Sequence, residues 1–360
     1  MPAVFGHAVG MRIDTHDVAA LERGVSLLGS GGGGYGGLGA LLLRQRLAAG
    51  RDVVVLDLAE LPAEARVVPV GVVGATAVFS EKLPSGAEFG AAVAAVERWT
   101  GTTADSVVSI EIGGMNGVIP LVVGCDLGLP VVDADLAGRG LPRLDQLSLA
   151  AAGRDVTPAA LAEPSGQVLV LAQGSASDVE RTARAFLTSA GGWAAFALPP
   201  IPVRDLPGCS MPNTVTHAID LGRRALAHPT AFVTEVGGRV LAEGRVMEVS
   251  RRPGVGRHGQ PTFGRGSVVV ADHGTQALLR LEMENEYLLA IRDGAVTAST
   301  PDILTVVDRR TGVPISCDLI RAGTEVAVLH LPTAEFWTDP RHLPAVAPRA
   351  YDIDCDPVLL

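Results

Sequence analysis

The chain has 360 residues, 48% of them hydrophobic but only 4% aromatic, with 29 Lys and Arg against 39 Asp and Glu and a formal net charge of −10. With no basic block or stripe, nucleic acid and an anionic membrane surface are not expected partners, and no apolar run approaches the ~18 residues needed to span a bilayer. Cys125, Cys209, Cys317 and Cys355 lie far apart without a CxxC pair, and the opening MPAVFGHAVGMRIDTHD has no signal-peptide pattern, so a reduced, cytoplasmic protein is expected.

From Asp17 to about Ala48 the periodicity is helical, interrupted by the glycine run of LLGSGGGGYGG. Glycine weakens a helix by about 1 kcal/mol relative to alanine, so bare backbone here implies that something approaches the chain closely. RDVVVLDL (51–58) and ARVVPVGVVG (65–74) read as buried strands, and SGAEFGAAVAAVERWTG (85–101) as a helix with a serine start and a glycine stop. ADSVVSIEIGG (104–114) is a strand, GVIPLVVGCDLG (117–128) a helix, and LPVVDADL (129–136) a strand. QVLVLAQG, SDVERTARAFLTSAGG, WAAFALPPIPV and TVTHAIDLGRRALAHP continue as strand, helix, strand and helix. This alternation predicts an α/β layered, mainly parallel sheet covered by helices. Beyond about residue 230, short alternating runs separated by glycine-bearing turns predict an antiparallel sheet or barrel. The expected division is an α/β N-terminal domain over 1–165 and a C-terminal domain over 166–360, with an α/β continuation (166–230) and a β-rich part (231–345).

Acidic residues recur where the predicted parallel strands end: Glu111 after VVSI, Asp133 and Asp135 in VVDAD, and Glu81 in the loop after VVPVGVVG. Ligands of open α/β sheets bind at those ends, and residues two apart in a strand share a face. These four are the candidate catalytic carboxylates, for proton transfer, metal ligation or hydrogen bonding to substrate. The competing structural reading is that one caps a helix and another pairs with Arg139 or Arg143. Gly31, Gly32, Gly33 and Gly34, with Gly113, Gly114 and Asn116 of IEIGGMNG, can offer backbone N–H groups to a substrate. Arg139 joins them as a candidate substrate contact, and Asn116 has the alternative role of helix cap. The glycine run lacks the Gly-Lys-Ser/Thr ending of a P-loop. Its GxGxxG matches follow a helical segment rather than a strand, which argues against dinucleotide binding. Cys209 and His217 are a candidate zinc-ligand or nucleophile–base pair, or simply packed side chains. His258 and His273 flank the glycine-rich segment RRPGVGRHGQPTFGRG.

The motifs LGSGGGG, EKLPSG (81–86), EIGGMNGVIPLVV, LGLPVVDADLAGRGLPRL, ENEYLLA and TPDILTVVD, taken together, resemble the S-methyl-thiohydantoin desulfurase family over nearly the whole chain. Tyr35 stands where relatives carry an acidic residue after the glycine run, and Ala134 where they carry glycine between the aspartates. The resemblance implies an α/β N-terminal domain, a β-rich C-terminal domain, and water attack at the sulfur-bearing carbon of a thiohydantoin, releasing thiol or sulfide and leaving a hydantoin. A zinc ion that activates water and stabilises departing sulfur is compatible with that chemistry. A small-molecule substrate is therefore expected, and the low charge density (19% charged) with abundant apolar residues leads to the expectation of a homo-oligomer. The alternatives are a metal-free hydrolase or isomerase of hydantoin-like rings, and a non-catalytic small-molecule-binding subunit of a hydantoin-utilisation system.

Overall fold

Runs of valine and alanine supply the strands of a first sheet, described in a computed structural model over residues 10–33, 36–75, 78–79, 81–255 and 261–360. Among these residues the strands are β1 (Met11–Arg12), β2 (Val54–Leu56), β3 (Arg66–Gly74), β4 (Ser106–Ser109), β5 (Val131–Asp135), β6 (Ala159–Ala162), β7 (Val168–Leu171), β8 (Trp193–Ala197), β9 (Ile201–Pro202) and β10 (Met211–Pro212). Their order is β1-β2-β5-β4-β3-β8-β6-β7, with β9 on β3 and β10 on β5.

The α/β layout with a β-rich second part is as expected, and the sheet itself is mixed. Its centre, β2-β5-β4-β3, is parallel, whereas β1, β8, β6, β7, β9 and β10 pair antiparallel. Helices α3 (Ala87–Thr100) and α4 (Ile119–Leu127) carry the chain from β3 to β4 and from β4 to β5, as parallel neighbours require. Gly101 and Gly128 end these helices in the left-handed conformation. The strand alternation resolves into two buried faces. Val68, Val70, Val107 and Val131 pack under the helices, and Val67, Val108 and Val132 pack on the opposite side. Helices α1 (Asp17–Leu28), α2 (Gly36–Ala48), α5 (Ser148–Ala151), α6 (Ala176–Ser189), α7 (Thr214–Ala227) and α8 (Phe232–Glu235) complete this layer. A capping box between Ser175 and Asp178 starts α6.

The second sheet is antiparallel throughout: β11 (Arg239–Val255), β12 (Pro261–Asp272), β13 (Leu278–Met283), β14 (Tyr287–Arg292), β15 (Ala295–Ser299), β16 (Ile303–Asp308) and β17 (Glu325–Leu331). Alternate residues such as Leu279, Leu281 and Met283 fill its curved interior. The two sheets dock at the glycine run. Tyr287 N–H donates to the Ser30 carbonyl at 2.7 Å, Cys317 N–H to Gly31 at 2.9 Å, and the Ser30 hydroxyl to Leu304 at 2.8 Å. No helix among the described residues is long and apolar enough to cross a membrane.

Candidate active site

Where β4 ends, β3 loses its neighbour, and Asn116 takes over the pairing. Its carboxamide accepts from Val72 N–H at 2.6 Å and donates to the Val72 carbonyl at 3.0 Å. The remaining amide hydrogen goes to Glu111 Oε1 at 2.7 Å, so Asn116 is a bridge between strand and site rather than a helix cap. Glu111 Oε2 accepts from Leu141 N–H at 2.9 Å. The Ser109 hydroxyl ties the turn together by donating to the Glu111 and Asn116 carbonyls. Burial pushes the Glu111 carboxyl up to about 7, against the pull of the Leu141 and Asn116 hydrogen bonds. A group poised there exchanges protons at neutral pH with little penalty in either direction.

Glu111 and Asn116 line a cavity of about 60 Å³ whose other walls include Val72, Phe79, Ile110 and Met115, with Asn285 reaching in from the second sheet. Phe79 is held by stacking on Trp193, ring centroids 4.0 Å apart. The cavity shares Gly74, Arg143, Arg184 and Phe263 with an outer groove of about 1390 Å³. At this mouth Arg184 stands over the Phe263 ring at 4.7 Å while ion-pairing with Glu180. The arrangement is apolar walls, a polar floor and a cationic rim.

The glycines lie behind that floor. Gly33 lines the cavity, and its carbonyl accepts from Met115 N–H at 2.8 Å. Gly113 lies against the Gly140 backbone, and Gly114, at φ +62°, against Gly33. At Gly32 a Cβ would enter the Glu286 carboxyl, and at Gly31 it would enter the Tyr287 ring. What approaches these turns closely is therefore other segments of the same chain. Gly34, the last glycine of the run, lies outside the described residues, as do Tyr35 and His258.

Glu286, which the pattern ENEYLLA disguises as a polar hairpin turn, is fully buried beside this floor. It accepts from Asn285 Nδ2 at 2.6 Å, and burial pushes its carboxyl up to about 8, opposed by that bond and by Arg139. Arg139 is buried and largely structural. Nε donates to Gly140, and Nη1 donates to the Pro301 and Asp302 carbonyls at 2.7 and 2.8 Å.

Comparison with known proteins matches this frame. Residues 16–173 match the family model described as S-Me-THD-like, N-terminal domain, and residues 174–359 match S-Me-THD-like, C-terminal domain. The chain belongs to the S-Me-THD-like family. A crystal structure of a protein from Chromobacterium violaceum is similar over 96% of this chain and 98% of that one, with 25% identity and a TM-score of 0.75. No curated protein matches. In this S-Me-THD-like chain the cavity draws on both matched segments, Glu111 and Asn116 from the first and Asn285 from the second.

The other acidic candidates have different surroundings. Asp133 Oδ1 accepts from Val215 N–H at 2.8 Å and Thr216 N–H at 3.2 Å, and Oδ2 from the Thr216 hydroxyl. It caps α7 from a neighbouring strand, where a negative charge also meets the positive end of the helix. Asp135 Oδ2 accepts three backbone N–H groups, from Ile112 (2.7 Å), Ala137 (3.1 Å) and Gly138 (2.7 Å). Those bonds join the Glu111 turn to the loop after β5, and burial still pushes Asp135 up to about 7. Neither aspartate lines the cavity, and exposed Glu81 does not either.

Cys209 is buried among apolar side chains, its thiol donating to the Asp205 and Leu206 carbonyls at 3.0 and 3.3 Å. His217 is exposed on α7. Among the described residues no group of three or more His, Cys, Asp or Glu is arranged to hold a metal ion. Cys209, buried, and His217, exposed, belong to no such group.

Proposed function

We propose that this S-Me-THD-like protein hydrolyses the C–S bond of an S-methyl-thiohydantoin or thiohydantoin ring. The observation that carries the reading is Glu111: a buried carboxylate with its midpoint near neutrality, fixed by Asn116 and Leu141 in the wall of a small cavity. Membership of the S-Me-THD-like family supports this substrate type, and the lining of the cavity is compatible with it. Val72, Phe79, Ile110 and Met115 offer apolar contact to the edge of a flat ring and its thioether reaching in from the outer groove, while Glu111, Asn116 and Asn285 meet the polar atoms.

In the reaction, a water oxygen bonds to the ring carbon that bears sulfur as Glu111 takes one of its protons. The C–S bond then breaks, and Glu111 returns that proton to the leaving sulfur, which departs as methanethiol. The second water proton ends on ring nitrogen, and the ring carbon becomes a carbonyl. Arg143 and Arg184 at the rim attract an anionic substituent and keep it at the mouth.

The test is incubation of purified protein with an S-methyl-thiohydantoin and measurement of thiol release. Catalytic release that Glu111→Gln abolishes supports the reading. Saturable binding without thiol release replaces it with a small-molecule-binding role.

A further inference from the structure

A second carboxyl lies near Glu111 without lining the cavity, in surroundings that packing alone does not explain. Glu286, Arg139, Gln146 and Tyr351 are 0%, 1%, 1% and 2% exposed. They come from three separate parts of the chain: the segment after β5, the turn before β14, and the segment near the C-terminus. Each presents a buried polar atom (Glu286 Oε2, Arg139 Nη2, Gln146 Oε1 and the Tyr351 hydroxyl) that completes no hydrogen bond of good geometry among the described residues. Upwards of about 90% of buried polar groups in folded proteins are satisfied, so four such atoms in one neighbourhood mark a buried polar cluster, within which the Tyr351 and Gln146 side chains face each other. The groups sense one another: Arg139 acts on Glu286, and Tyr351 feels Arg139, Glu286 and Gln146.

We infer that Glu286 is the second proton-holding group of the site, acting through Glu111 from this cluster. The inference rests on the hydrolytic reading above. Asn285 is the material link, since it donates to Glu286 Oε1 at 2.6 Å and also lines the cavity. The titratable and charged groups that face Glu286 are Glu111, Glu284, Arg139, Tyr351 and Cys317, and Asp135 faces Glu111 from the end of β5. Arg139 is the positive one, and it serves both carboxyls. Two carboxyls that share one cation lose their protons in sequence, and the first charge opposes the second.

The working state has Glu111 ionised and Glu286 protonated, so that one proton resides in the pair. Glu111 takes its proton from water and returns it to sulfur, and Glu286 exchanges none with substrate. Once Glu286 ionises, its charge makes Glu111 retain the proton taken from water instead of passing it to sulfur, and repels the departing thiolate. Glu286 is thus a positioning residue that sets the proton affinity of Glu111.

The pH profile of kcat for thiol release tests this. Wild type is expected to be bell-shaped, rising near 7 and falling near 8. Glu286→Gln keeps the shape and hydrogen-bonding capacity of the protonated acid but cannot ionise. It should keep KM within about twofold and lose the falling limb, running about tenfold above wild type one pH unit past that limb. A falling limb retained in Glu286→Gln overturns the inference. Infrared titration of the buried carboxyls needs neither turnover nor that variant. With Asp135→Asn in place to remove the other buried acid that titrates near 7, a protonated carboxyl should persist with a midpoint near 8, above that of Glu111, and adding Glu111→Gln should lower that midpoint by removing the opposing charge. A missing band, or a midpoint that does not move, also overturns the inference. Because that readout is independent of thiol release, an inactive wild type counts against the hydrolytic reading alone.

Discussion

The ends of β4 and β5 lie side by side in one sheet and both carry buried carboxylates, yet the structure uses them differently. Glu111 has one hydrogen bond to each oxygen and stands in a cavity wall. Asp133 spends both oxygens on the first turn of α7, and Asp135 gathers three backbone N–H groups. Position at a strand end thus identifies a neighbourhood, and the identity of the hydrogen-bond partners decides which carboxylate is left for chemistry.

The largest effect should come from Glu111→Gln, which removes the base while keeping the side chain's shape. Thiol release is expected to fall about 10²–10⁴-fold with a loss of stability of about 1–3 kcal/mol, because the new amide NH2 must face a donor, Asn116 Nδ2 or Leu141 N–H, in place of an accepting oxygen. Unfolding of that variant would give Glu111 the same structural status as its neighbours. Next is Gly32→Ala, whose new methyl group meets the Glu286 carboxyl; denaturant titration should show a loss of about 1–3 kcal/mol. Asp133→Ala should cost about 1–2 kcal/mol through the lost α7 cap while turnover per folded molecule stays close to wild type. A collapse of turnover without loss of stability would move Asp133 into the site and erase the contrast with Glu111.

The pH dependence of stability compares the same two strand ends without a substitution. Glu111 and Asp135 have folded-state midpoints near 7, above the 4.5 and 3.8 of the free groups. Between those values and 7 the folded protein holds protons that the unfolded chain has released. Stability contributed by these groups therefore falls as pH rises through that window, and Asp135→Asn should flatten the decline in melting temperature.

Much of the architecture is legible from periodicity. Valine-rich runs alternating with helices mark the parallel centre, and 8–12-residue spacing marks the antiparallel second part. The direction of β8, β6 and β7 is not legible, because antiparallel and parallel strands bury the same alternating residues. Within the site, Glu111 and Asn116 are readable as a strand end followed by a glycine turn. Asp133's cap is not, since its partners Val215 and Thr216 lie about 80 residues further along the chain. Glu286 is the most hidden. Flanked by Glu284 and Asn285 it reads as solvated polarity, and only docking against Gly32 buries it. The glycine run signals close approach correctly, but sequence cannot say that the approaching body is another part of the same fold.

The docking of Tyr287 and Cys317 onto the Ser30 and Gly31 carbonyls has a consequence for how activity can be lost. The Glu111 cavity belongs to neither sheet alone: its proposed base is mounted on one and part of its lining on the other. Prising the halves apart by a few ångströms at that seam would silence the chemistry while both sheets remained intact. Damage at the seam should therefore be felt as lost turnover before it is felt as lost secondary structure.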